Sequence, residues 1–185
     1  MSRALILAAL LRLTHPPTID DAARAADVLA PVALDAPLWP VPSELAPDAA
    51  EVPATALLLA AIGYHESGFQ EAVGSCRLRG PGPGGGSVTH YQLLGSGSLA
   101  GWTEAEVCAS NEVAARAALR VVRLHAHRCP TCVPGQWIAG YASGDMGKGS
   151  KAAREIAGIW SALCRGAGLV CDPYATARPT WRITR

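Results

Sequence analysis

One hexapeptide carries residue types that could do chemistry together: Tyr64-His65-Glu66-Ser67-Gly68-Phe69. It ends a run, residues 53–66, in which Ala54, Leu57, Leu58, Ala61 and Ile62 leave almost no polar side, the pattern of a helix buried all round. Pro53 suits the first turn of that helix and Gly68 supplies a left-handed stop. A carboxyl at the end of such a helix loses solvation and lies beside the negative end of the helix dipole; both effects favour its protonated form. A general acid needs this, because it must hold a proton near neutral pH and still reach a substrate. Glu66 is therefore the candidate acid, provided that its carboxyl borders a groove and that no cation is locked onto it. Phe69, the single phenylalanine, is assigned to core packing.

Two further sets of residues have chemical potential. The six cysteines, Cys76, Cys108, Cys129, Cys132, Cys164 and Cys171, are even in number and many for a chain of this size, which points to disulfides and an oxidising environment. Cys164 and Cys171 close a short loop, Cys129 and Cys132 flank Pro130-Thr131, and Cys76 and Cys108 stand in separate loops, which leaves the pairing open. The alternatives are buried reduced thiols, or a zinc site built on Cys129 and Cys132 with Cys164, Cys171, His125 or His127. Arg116, Arg120 and Arg123 form a row on one helix, read as a solvated face with a carboxylate-binding stripe as the alternative.

The elements that must position these residues are helical. Of 185 residues, 35 are alanine and only 33 are glycine or proline, so helices joined by short breaks are expected, without long disordered tails. A first helix spans residues 3–13 and a second starts at Thr18, with Asp20 and Asp21 at its positive end, and stops near Pro31. Residues 31–53 form a proline-rich connection, and the glycine-rich run before Gly86 is loop. A long helix over residues 112–127, capped near Ser110 or Asn111, buries Val113, Ala117, Val121 and Leu124; a last helix from Ser150 buries Ala153, Ile156, Ile159, Trp160 and Leu163. Residues 87–94 form the edge of a small hairpin. The domain plan is an N-terminal helical segment with its connection, 1–52, and a main domain, 53–185.

A net charge of +1 gives no support to a nucleic-acid partner, and no apolar run reaches the length of an integral membrane segment. Met1-Ser2-Arg3 before the apolar residues 4–11, with Ala23-Arg24-Ala25 beyond, has the outline of a leader peptide. Arg12, His15, Asp20 and Asp21 intervene, so the segment reads as a short core helix stopped by Pro16-Pro17.

Three segments carry a family resemblance. Glu66-Ser67-Gly68-Phe69 with Ala72-Val73 is similar to the E-S-x-F...A-V signature of lysozyme-like soluble lytic transglycosylases, which cut the glycan strands of bacterial peptidoglycan. Ser87-Val88-Thr89-His90-Tyr91-Gln92-Leu93 resembles the family's S-x-G-L-M-Q-L, with Thr89 in place of glycine. Tyr141-Ala142-Ser143-Gly144 resembles A-Y-N-x-G, with Ala142 in place of asparagine. The resemblance spans residues 53–164. It implies a mainly α, lysozyme-like domain with at most a small hairpin, plus the N-terminal helices. It also implies Glu66 as the catalytic acid, Tyr141 as a catalytic-site residue orienting it, and Ser67, Ser87, Tyr91 and Gln92 as residues binding the glycan, with no cofactor.

In the transglycosylase route one glutamate is acid and then base, the sugar's acetamido group stabilises the cation, and the product is an anhydro sugar. A lysozyme-type hydrolase would instead use a second carboxylate, roughly 6.5–9.5 Å away if inverting, for which Asp145 and Glu71 are the candidates. Trp102, Trp137 and Tyr91 could stack on sugar rings. A non-catalytic component of a phage particle is the alternative from another class, and a zinc-stabilised interaction module a third. Since peptidoglycan lies outside the cytoplasmic membrane, the expected location is periplasmic or extracellular, or virion-associated with phage proteins as partners, reached as a phage lysin would reach it.

Overall fold

The apolar run ahead of Glu66 forms helix α3 (Glu51–Ser67), buried from Glu51 through Gly63. A helix with no solvated face needs neighbours on every side. In the computed structural model, which describes residues 3–39, 49–80, 86–93, 99, 101–147 and 149–182, α1 (Arg3–Leu10) and α2 (Ile19–Asp35) precede it. A single turn α4 (Glu71–Gly74) follows, then α5 (Glu104–Ala109), α6 (Asn111–Arg128), α7 (Pro134–Ser143) and α8 (Lys151–Gly166). Helices α1, α2, α6 and α8 pack against α3, and α7 packs against both α6 and α8. Among the described residues the one sheet is a small hairpin, β1 (Leu169–Val170) antiparallel to β2 (Thr180–Trp181), with Leu169 opposite Trp181. The fold is mainly α with a small β-hairpin, as expected.

Side chains from α8 close the far side of α3. Ile156, Trp160 and Leu163 are fully buried, and the Trp160 indole N–H donates to the Ala54 carbonyl at 3.0 Å. Trp39 stacks on Trp160 with centroids 5.9 Å apart, and Trp137 tilts against Trp39 at 6.0 Å. Each such side chain contributes roughly 1.5–3 kcal/mol by leaving water. The helix starts are set by hydroxyls: Thr18 accepts from Asp21 N, Ser110 from Val113 N and Ser150 from Ala153 N.

Several expectations need correction. The first helix ends at Leu10, and residues up to Leu13 tighten into i→i+3 turns. The second runs through Pro31 to Asp35; the missing N–H and ring clash cost about 3 kcal/mol, offset by burial of Val32 and Ala33. The α6 face is turned. Leu124 is 44% exposed and Val113 and Val121 are only half-buried, whereas Ala114, Ala118, Leu119, Val122 and His125 face inward, where small alanines let α2 and α3 come close. Ile159 is half-buried. Residues 87–93 make one antiparallel bridge, Val88 to Leu93, and the hairpin forms at the C-terminal end instead. Cys108 sits in α5, not in a loop.

All six cysteines are paired, as Cys76–Cys108, Cys129–Cys132 and Cys164–Cys171. This overturns the zinc and free-thiol alternatives, since a sulfur bonded to sulfur is no longer a thiolate ligand. Three disulfides fit an oxidising environment such as the periplasm or the extracellular space, and no described helix is long and apolar enough to cross a membrane. Residues 40–48 of the proline-rich connection, the glycine-rich run at 81–85, Leu94, and Met1 and Ser2 of the leader-like segment lie outside the described residues.

Candidate active site

Glu66 stands one residue before the end of α3, whose last turn is closed by Gly68 at φ 60°, its N–H donating to the Tyr64 carbonyl at 2.8 Å. Its side chain is 21% exposed, so it borders solvent while its helix is otherwise buried. Ser67, next along, turns inward. Its hydroxyl donates to the Gly63 carbonyl at 2.8 Å, accepts from Phe69 N at 3.1 Å and lies 3.2 Å from His90 Nδ1. Phe69 packs edge-on against His90, with centroids 5.6 Å apart, which confirms its core role.

The second motif segment is held by its own backbone. Val88 and Leu93 exchange both hydrogen bonds, at 3.0 and 2.9 Å, and the loop between them turns through left-handed conformations at Thr89 (φ 67°) and Gln92 (φ 50°). Thr89 thus has the backbone that glycine adopts most easily, at the position where the resembling pattern has glycine. The Ser87 hydroxyl donates to Gln92 Oε1, so the polar pair of this motif bonds to itself. The third segment joins here. Tyr141 Oη donates to the Tyr91 carbonyl at 2.5 Å.

His65 and Tyr141 show how charge is arranged. His65 Nε2 lies 3.0 Å from Glu155 Oε2 on α8, and Nδ1 lies 3.4 Å from Glu66 Oε1, longer than an ordinary hydrogen bond. The Glu66 contact is the largest influence raising the His65 pKa; burial opposes it, and Glu155 adds to it. The closer anchor of the ring is Glu155. The Tyr141 hydroxyl is held far above its usual pKa by burial first and by the charge of Glu66 second, so it stays neutral and feels the Glu66 carboxylate through space.

The expected site residues therefore separate into groups. Glu66, Ser67, Tyr91 and Tyr141 gather at the end of α3, linked through His90 and the Tyr91 carbonyl, while Ser87 and Gln92 sit in the adjoining turn. Ser67, Ser87 and Tyr91, expected to bind the glycan, are 8%, 2% and 3% exposed, because the protein itself occupies their polar atoms or surrounds them. Gln92 is half-buried. Trp137 belongs to the tryptophan core, and Trp102 lines a different cavity, on α6.

No protein-family model matches the chain, and neither the curated proteins nor the solved structures compared with it include a match. Glu71 pairs with Arg77 at 3.0 Å and Asp145 accepts from Gly147 N at 2.8 Å, so both carboxylates considered for a second catalytic role have local partners. Three residues of the site were missed from sequence. His65 was visible only as part of the hexapeptide. His90 had one signal, its place inside a motif, and Glu155 had none, being 89 positions from Glu66. The cavity on α6, the one beside Phe69 and His90 and the one along α8 are lined by residues other than Glu66.

Proposed function

We propose that this chain cleaves the glycan strands of peptidoglycan at the MurNAc–GlcNAc bond by a lytic transglycosylase-type mechanism with Glu66 as its single acid and base. The observation that carries the reading is the meeting of three motif segments, around residues 64–69, 87–93 and 141–144, at the solvent-facing end of one buried helix. The left-handed backbone at Thr89 adds weight to the alignment of the second segment.

In this reading Glu66 gives its proton to the scissile oxygen, the C–O bond breaks, and the acetamido group of the same sugar shares the positive charge. The Glu66 carboxylate then takes the proton of a sugar hydroxyl as that oxygen closes on the anomeric carbon, giving the anhydro product. Tyr141, neutral and bonded to the Tyr91 carbonyl, holds the wall beside the carboxyl, and Gln92, half-buried in the adjoining turn, binds the sugar. The local engagement of Glu71 and Asp145 favours this route over hydrolysis by two carboxylates. The contact between His65 and Glu66 favours a second reading, a non-catalytic component of a phage particle.

Mass analysis of the fragments released from purified peptidoglycan separates these readings. The expected product is lighter by one water than the hydrolytic one, and Glu66→Gln should lower its release by at least about 100-fold. A hydrated product turns the assignment to a muramidase. No release by either protein leaves the scaffold reading, and equal release by the wild type and Glu66→Gln overturns Glu66 as the acid.

A further inference from the structure

A second concentration of polar chemistry lies on α6, and the motif segments have no part in it. Arg116, Arg120 and Arg123 follow one another at helical spacing and, with Trp102, Leu119 and Ala36, line a cavity of about 360 Å³. That volume lies within the range of small-ligand sites. The three arginines are not equivalent. Arg116 is spoken for, with its guanidinium 2.7 Å from Asp35 and 2.8 Å from Glu112. Among the described residues, Arg120 and Arg123 have neither an ion pair nor a hydrogen-bond partner. Beside these two free guanidiniums stand the half-buried indole of Trp102 and the buried side chain of Leu119.

We propose that this cavity binds a short peptide by its C-terminal carboxylate, with the terminal apolar side chain against Trp102 and Leu119. A planar guanidinium offers two parallel donors to a carboxylate, and Arg116 in the same row already holds two carboxylates. The apolar floor requires a ligand with an apolar body, which a free inorganic anion lacks. A polyanion does not fit either. Two unpaired cations on a chain of net charge +1 do not produce the extended positive field that a nucleic acid needs. This inference is independent of glycan cleavage and stands or fails separately from it.

The test uses the full chain labelled with nitrogen-15, following the Trp102 indole N–H resonance, assigned with Trp102→Phe. The probes are acetyl-Ala-Leu as the free acid, the same peptide as its C-terminal amide, and inorganic phosphate. The expected result is a saturable shift of the Trp102 resonance by the free acid, with binding at least about tenfold weaker for the amide and weakened by added salt. The double variant Arg120→Gln/Arg123→Gln should lose the response while its circular dichroism and Tm stay unchanged. The proposal is overturned by equal binding of acid and amide, by binding that survives in the double variant, by phosphate binding as tightly as the peptide acid, or by no shift up to about 10 mM.

Discussion

The two polar regions of this molecule differ in where their partners come from. At the end of α3 the Ser67 hydroxyl, His90 Nδ1 and the Tyr141 hydroxyl are each met by another part of the chain. Along α6, Arg120 and Arg123 face a cavity and have no hydrogen-bond or ion-pair partner among the described residues. The physical reason is solvation. An unpaired buried polar group costs about 1–3 kcal/mol, so the chain must complete that region itself, whereas an exposed guanidinium keeps its water and loses little by staying unpaired. The closed region therefore fixes shape, and the open region has donors to spare for a ligand. Glu66 and His65 stand on the border of the first, each about one-fifth exposed.

The largest effect expected from this contrast concerns the disulfide that ties the two regions together. Cys76–Cys108 joins the loop after α4 to α5, which packs against α6, and it closes a loop of 32 residues, against 3 for Cys129–Cys132. On chain entropy the first contributes about 3.7 kcal/mol and the second about 1.6 kcal/mol. Denaturant titration of Cys76→Ala/Cys108→Ala and Cys129→Ala/Cys132→Ala should show the larger loss for the first pair. Equal losses would mean that the two regions hold together without that tie.

Next in size is a pair of opposite pH dependences within the closed region. Burial holds His90 neutral, with its pKa lowered to about 4, the charge of Asp21 opposing and that of Arg24 adding. The unfolded chain, with an ordinary histidine near 6.5, takes up a proton that the folded one refuses. Stability from His90 is thus present above pH 6.5 and is lost as pH falls towards about 4, by roughly 3 kcal/mol. His65 has the opposite sign: its folded pKa is raised, so its contribution is full below pH 6.5 and is lost as pH rises through the raised value. Unfolding free energies across that range should flatten on the acid side in His90→Gln and on the alkaline side in His65→Gln. A His90→Gln variant with the wild-type acid slope would show that the cluster is not closed.

A smaller effect compares the regions directly. A Cβ on Gly74 would lie 2.2 Å from His90 Nε2, so Gly74→Ala must displace a ring already held by Ser67 and Phe69, at about 1–3 kcal/mol. Arg120→Gln/Arg123→Gln removes nothing the fold uses and should stay within about 0.5 kcal/mol of the wild type. Chemical denaturation of both checks this, and similar losses would erase the distinction.

The sequence made different parts of this arrangement legible to different degrees. Starts and stops at Ser110, Ser150 and Gly68 are local chemistry, a hydroxyl or a left-handed glycine beside a periodic apolar run, so α3, α6 and α8 could be read to within a few residues. Continuation of α2 through Pro31 could not, because the decisive gain is burial of Val32 and Ala33 against other helices. The rotation of α6 was hidden for a similar reason: alanine pattern alone does not say which side a neighbour approaches. At the site, Glu66 was legible because it ends an unbroken apolar helix. The bonds from Ser67 to His90, Tyr141 to Tyr91 and His65 to Glu155 join residues 23, 50 and 90 positions apart, and no local pattern encodes them.

The smallest expected effect tests whether the closed region carries backbone strain. Thr89 is fully buried with φ 67°, a conformation that places a Cβ against the neighbouring carbonyl at a cost of about 1–2 kcal/mol. Its hydroxyl partly offsets this by accepting from Tyr91 N at 3.3 Å. Thr89→Ala keeps the Cβ and loses the hydroxyl, whereas Thr89→Gly loses both and releases the strain. Thr89→Gly should therefore be the more stable of the two by up to about 1 kcal/mol, once the greater freedom of unfolded glycine is subtracted. On a helix the order reverses, so Ala118→Gly on α6 serves as the control and should be destabilising. If Thr89→Ala proved the more stable variant, the left-handed turn would not be the backbone of this loop in solution, and the alignment of Thr89 with a glycine would lose its physical support.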